Sequence, residues 1–145
     1  MKRFALIFAL VLVLAVSASA MDFGKFTAEV PAGWSASKDG PTAIFTKEDN
    51  TASLSITVEE TGGATTEQLA EAFVEAFKNS GNFTEFTEIE KDNDGSLTFN
   101  MKTKAGVVSN CFLSAEDGKY LLIVMTGADG NREEIANILG SVKEK

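Results

Sequence analysis

The sequence predicts an α+β fold in which a largely antiparallel sheet of about six to seven strands packs against two main helices. Three observations predict it. Short segments alternate apolar and polar residues; the cleanest sets Ala52, Leu54, Ile56 and Val58 against Ser53, Ser55, Thr57 and Glu59, the period of a strand with one buried face. Tight turns such as Asp92-Asn93-Asp94-Gly95 and Glu116-Asp117-Gly118-Lys119 join successive segments, so neighbouring strands run antiparallel. Two stretches, Ala64–Gly81 and the one opening at Asn131, repeat their apolar residues at helical spacing.

The chain has 145 residues, and the first 20 read as a leader rather than as part of the fold. Lys2 and Arg3 give a positive start, Phe4–Val16 is an apolar run, and Ala18-Ser19-Ala20 supplies small residues before Met21. That is the pattern of a secretory signal peptide. The run is shorter than the ~20 residues that a membrane span needs. The expected mature chain, residues 21–145, is long enough for one domain with a sizeable core.

Phe26, Ala28 and Val30 alternate with Thr27 and Glu29 as a short strand, ended by Pro31-Ala32-Gly33-Trp34. Ser35–Pro41 reads as a polar turn region. Thr42–Lys47 is a second strand and Ala52–Glu59 a third. In Ala64–Gly81, Leu69, Phe73, Ala76 and Phe77, with Ala70 and Val74 beside them, form an apolar face, and Glu67, Glu71, Glu75 and Lys78 take the other. Thr65 and Gln68 have capping-box spacing, and Gly81 can adopt the left-handed conformation that stops a helix. An isolated helix this short is marginal in water, so its apolar face needs a sheet beneath it.

Asn82–Glu90 reads as a further strand. Leu97, Phe99 and Met101 alternate in the next, and Val107–Ala115 is apolar on both faces. Asp117-Gly118 suits a type I′ hairpin turn. Tyr120–Met125 is six consecutive apolar residues, as in a central strand covered on both sides. Asn131 and Glu134 repeat the capping spacing before Ile135, Ile138, Leu139 and Val142, the apolar face of the second helix. Ser141–Lys145 is expected to fray.

This order, with the run Phe26–Trp34 (FTAEVPAGW), the helix Thr65–Asn79 and the closing strand Tyr120–Met125 with its helix, resembles the PsbP/Mog1-like fold family, including secreted bacterial domains of the DcrB type. The resemblance runs from about Phe23 to Val142. It implies an α/β/α sandwich and an accessory or binding role. It implies no reaction and transfers no partner-binding residue.

Composition narrows the function. Without Lys2 and Arg3 the chain holds 11 basic and 21 acidic residues, a net charge of −10. Such a surface repels phosphate backbones and anionic lipid, which argues against nucleic-acid binding. No histidine is present, which removes the usual general base of Ser and Cys nucleophile sites and the commonest transition-metal ligand. Cys111 is the only cysteine; it allows no internal disulfide and no thiolate zinc site, and it reads as a buried small hydrophobe. Glu90, Asp92, Asp94, Gly95 and Leu97 match positions 1, 3, 5, 6 and 8 of a calcium loop, but position 12 is Met101, where the bidentate Glu belongs. A solvated hairpin turn is the better reading. Trp34, after a strand and a Pro-x-Gly turn, reads as a plug at the end of the core.

The expectation is thus a secreted, periplasmic, non-enzymatic accessory or binding domain acting through a protein partner or envelope complex, with no catalytic, cofactor or metal residues. The alternative is a carrier for a small apolar ligand held between helix and sheet.

Overall fold

A computed structural model describes residues 19–145. The expected leader lies outside the described residues except for Ser19 and Ala20, which open β1 (Ser19–Asp22). Then come β2 (Phe26–Val30), β3 (Trp34–Asp39), β4 (Thr42–Lys47), β5 (Ser53–Glu60) and α1 (Thr66–Ser80). The second half runs β6 (Phe83–Phe86), β7 (Glu90–Lys91), β8 (Leu97–Thr103), β9 (Val108–Glu116), β10 (Lys119–Thr126), α2 (Arg132–Gly140) and β11 (Lys143–Glu144). The principal sheet has the order β3-β4-β5-β10-β9-β8-β6, with β7 also paired to β8, and all its pairings are antiparallel. The α+β sandwich expected from the sequence is the observed architecture.

The layers on the two faces of the sheet are offset. On one face α1 lies over β8, β9 and β10. Leu69, Ala70, Phe73, Val74 and Phe77 meet Leu97, Phe99, Met101, Cys111, Leu113, Leu122 and Val124 there. On the other face α2 and a small three-stranded sheet, β1-β2-β11, lie over β3, β4, β5 and β10. Phe23, Phe26, Ile135, Ile138 and Val142 meet Phe45, Leu54, Ile56, Leu121 and Ile123 there. Among the described strands of this sheet β10 is the one covered on both sides, which is why Tyr120–Met125 is apolar throughout.

Several local expectations hold. Gln68 N–H donates to the Thr65 hydroxyl, Thr65 N–H donates back to the Gln68 side chain, and Gly81 stops α1 at φ +73°. Asp117 and Gly118 both have positive φ, the type I′ signature. Trp34 is 5% exposed.

Other expectations are corrected. Ser35–Pro41 is not a turn region: Trp34–Asp39 is edge strand β3, paired residue for residue with β4. An edge strand with an uncovered face is free to be polar, so its alternation is faint. Phe26–Val30 is a strand but belongs to the small sheet rather than the principal one. Asn82–Glu90 is broken into β6 and β7, with a register shift between Thr84 and Phe86 and Glu85 at φ +41°. Ala76 is exposed, because the buried stripe of α1 passes through Ala70 and Val74 instead.

Ser141–Lys145 does not fray. The Ser141 hydroxyl accepts from Glu29 N–H at 2.8 Å, Val142 is 5% exposed, and β11 pairs with β2. Asn131 makes no side-chain cap; its side chain accepts from Lys47 Nζ at 2.7 Å and donates to the Gly127 carbonyl. Glu134 is likewise drawn away, since it accepts from Lys47 Nζ at 3.0 Å and from the Trp34 indole N–H. Burial of the indole and the ammonium stem makes these bonds worth more than an exposed cap.

Candidate functional site

The offset of the layers leaves part of the α1 face of the sheet uncovered, over β4 and β5. A cleft of about 450 Å³ lies there, between α1 and the sheet. The capped first turn of α1 fixes its start, and the 3.6-residue period then turns Phe73 and Phe77 toward β10 and the cleft. Both rings are half-buried. Phe73 meets Tyr120 edge-on at 5.5 Å, and Phe77 meets Phe83 edge-on at 5.4 Å. With Leu122 and Val124 of β10 they make an apolar wall.

The other side of the cleft is hydroxylic. Pairing sets Ser55 opposite both Ile44 and Val124, Thr57 opposite Thr42 and Leu122, and Ser53 opposite Thr126. Thr42, Ser53, Ser55, Thr57 and Thr126 therefore line a floor on which only Ile44 contributes an apolar side chain between β4 and β5. The Thr42 and Thr57 hydroxyls bond each other at 2.7 Å. These small polar residues were legible in the sequence only as the outward half of two alternating strands; nothing there distinguishes a floor from an ordinary solvent face.

Among the described residues, one carboxylate and no basic side chain line the cleft. The carboxylate is Glu59, paired across the ladder with Tyr120, whose hydroxyl donates to Glu59 Oε2 at 2.9 Å. Burial, and then the hydrogen bond to Glu59, push the Tyr120 hydroxyl up to about 12. It stays a neutral donor at physiological pH.

A second groove of about 330 Å³ lies at the β6 edge, lined by Phe86, Met101, Lys102 and Val108 among others. Lys78 Nζ sits 5.4 Å from the centre of the Phe86 ring, and Val107 and Val108 are 40% and 39% exposed beside it.

Cys111 faces α1 between Phe99 and Met101, 2% exposed, and burial pushes its thiol up to about 12. A thiol so raised is not a nucleophile at neutral pH. The acidic turn is a hairpin. Asp94 Oδ1 accepts from Ser96 N–H and Oγ–H, which hold its carboxyl below the ordinary range, and Gly95 takes φ +88°. Glu90 is in β7, opposite Thr98. Among the described residues no three Cys, Asp or Glu side chains converge as a metal-holding group, and no helix is long and apolar enough to cross a membrane.

No protein-family profile matches the chain, and no curated protein matches it. Solved structures do. A protein from Bacteroides thetaiotaomicron aligns over 88% of this chain and 48% of its own, at 12% identity and a TM-score of 0.46. The cyanobacterial PsbP protein CyanoP from Synechocystis sp. PCC 6803 aligns over 89% of this chain and 93% of its own, at 10% identity and a TM-score of 0.56. That likeness is one of fold: the chain has the PsbP-like fold expected from its sequence.

Proposed function

We propose that this chain is an exported, non-enzymatic binding domain and that the cleft between α1 and the sheet is where it binds. The observation that carries the reading is the pair of half-buried rings, Phe73 and Phe77, facing a space of about 450 Å³. Ligand pockets fall in this size range and combine apolar walls with a few placed polar groups. Buried Cys111 and the lack of histidine favour binding over nucleophilic chemistry. Export rests on the leader pattern before Met21; kinship with DcrB-type domains rests on the run Phe26–Trp34 and the order of elements. N-terminal sequencing of material recovered outside the cytoplasm is expected to begin at Met21, and a start at Met1 would count against export.

The test of the cleft is titration with a neutral hydrophobic dye, N-phenyl-1-naphthylamine. Saturable binding at one site is expected, with amide shifts confined to α1, β5 and β10. Ser55→Trp, which puts an indole into the cleft, should abolish it while the melting temperature holds. A dye that shifts only residues outside the cleft, or none, would remove the reading even if Ser55→Trp fails to fold.

A second reading, docking to a protein partner, is favoured by exposed Val107 and Val108 beside the β6 groove. Val108→Lys would then release a partner from the envelope without touching dye binding.

A further inference from the structure

We propose that the ligand of this cleft is a small amphipathic cation, with its ammonium at Glu59 and its apolar body along Phe73, Leu122 and Val124. The inference rests on the reading of the cleft as a binding site and adds the charge of what it takes. Three features carry it.

The first is the charge of the lining. Among the described residues Glu59 is the one carboxylate on the cleft wall, and neither lysine nor arginine lines it to receive an anion. A fatty acid or an organic phosphate entering this space would bring a charge with no counter-ion. An ammonium would meet one.

The second is the way Glu59 is held. Tyr120 O–H donates to Oε2 at 2.9 Å, and the ladder fixes the two residues opposite each other. Among the described residues Oε1 has no hydrogen-bond donor. Glu59 is exposed, with one oxygen engaged by Tyr120 and the other open to solvent, and a charge-assisted bond from an N⁺–H to a carboxylate is stronger than a neutral one.

The third is the aromatic setting. Tyr120 and Phe73 meet edge to face at 5.5 Å, and both line the cleft with Glu59. The two rings give the apolar body of such a ligand an aromatic surface to lie against, next to the carboxylate. Beyond that pair the wall turns aliphatic at Leu122 and Val124, while Ser55 and Thr57 on the floor offer hydroxyls to any polar substituent. The whole-chain charge works in the same direction, since a surface at −10 without its leader draws cations and repels anions.

The experiment is calorimetric titration of the protein with three probes of one chain length: octylammonium, octan-1-ol and octanoate. Octylammonium should bind tightest, octan-1-ol about tenfold weaker, and octanoate weaker still. The advantage of the cation should shrink as salt is raised from low to physiological strength. Glu59→Gln keeps an oxygen for the Tyr120 hydroxyl and removes the charge. It should bring octylammonium down to the level of octan-1-ol. Octanol binding as tightly as octylammonium, or Glu59→Gln with no effect, would overturn the cation inference while the cleft reading stands. Failure of all three probes and of the neutral dye would overturn both.

Discussion

Trp34 and Glu134 stand 100 positions apart, and the indole N–H of one donates to the carboxylate of the other. Lys47 closes the arrangement from β4, bonding Glu134 Oε1 at 3.0 Å and Asn131 Oδ1 at 2.7 Å. Edge strand β3, strand β4 and helix α2 are joined at this point.

The Trp34 bond and then the Lys47 bond hold the Glu134 carboxyl below its ordinary value of 4.5. A carboxyl depressed in the fold stabilises it above the unfolded value, and the contribution is lost as pH falls through the folded one. Thermal stability should therefore be level above about pH 5 and decline below about pH 4.5. Glu134→Gln, which keeps an acceptor for the indole, should flatten part of that decline. Glu134→Ala should cost about 1–2 kcal/mol at pH 7, the group being partly exposed. Melting curves of the three proteins from pH 3 to pH 8 measure it; parallel curves would refute the linkage.

The two faces of the sheet should respond differently to truncation. Phe45 is fully buried beneath the small sheet and α2, so Phe45→Ala should cost about 3–5 kcal/mol. Phe73 faces the open cleft and is half-buried, so Phe73→Ala should cost only about 2 kcal/mol. Glu71→Ala, on the exposed face of α1, should stay within about 0.5 kcal/mol. Denaturant midpoints that rank Phe73 with Phe45 would mean that the cleft is closed in solution.

Cys111 should be chemically silent in the native state. Its thiol is 2% exposed and pushed up to about 12 by burial, so at pH 8 almost none is thiolate. Ellman's reagent should fail to modify the folded protein over minutes and should titrate one thiol at once in guanidinium chloride. Rapid native reaction would show that β9 opens beneath α1.

Gly127 should tolerate no side chain. A Cβ there would sit 2.1 Å from the Thr51 carbonyl oxygen, and the residue holds φ +68°. Gly127→Ala should cost about 3–5 kcal/mol, from the clash and the left-handed backbone together. Gly130→Ala, at φ +84° with open space around it, should cost about 1–2 kcal/mol. Equal melting temperatures for the two variants would place the closing turn of β10 elsewhere.

Strands β4, β5, β8, β9 and β10 of the principal sheet and both helices are legible because their signals are local. The period of Leu54, Ile56 and Val58, the capping pair Thr65 and Gln68, and the Asp117-Gly118 turn each dictate structure within a few residues. What is not legible depends on distant parts of the chain. Strand β3 carries no strong alternation, since β4 alone holds it. The run after Ile138 looks like a fraying end until β2 is brought beside it. Asn131 and Glu134 have the spacing of a cap, yet Lys47 and Trp34 outbid the helix for them. The cleft belongs to this second kind: Ser53, Ser55 and Thr57 become its floor only because α1 stops short of β5.

The small sheet sets an order in time. Lys145 closes on Asp22 across 123 positions, and β11 supplies the second neighbour of β2. A chain emerging from its amino end presents β2 first and the strand that completes its sheet last. Until residues 141–145 are in place, Phe23 and Phe26 lack part of their cover, and so do the strands beneath them. Pairing across such a separation carries a large loop-closure cost and forms late. Residues 141–145 thus work as a latch: without them the principal sheet can still pair, but β2 keeps one edge open and the small sheet is not fastened over it.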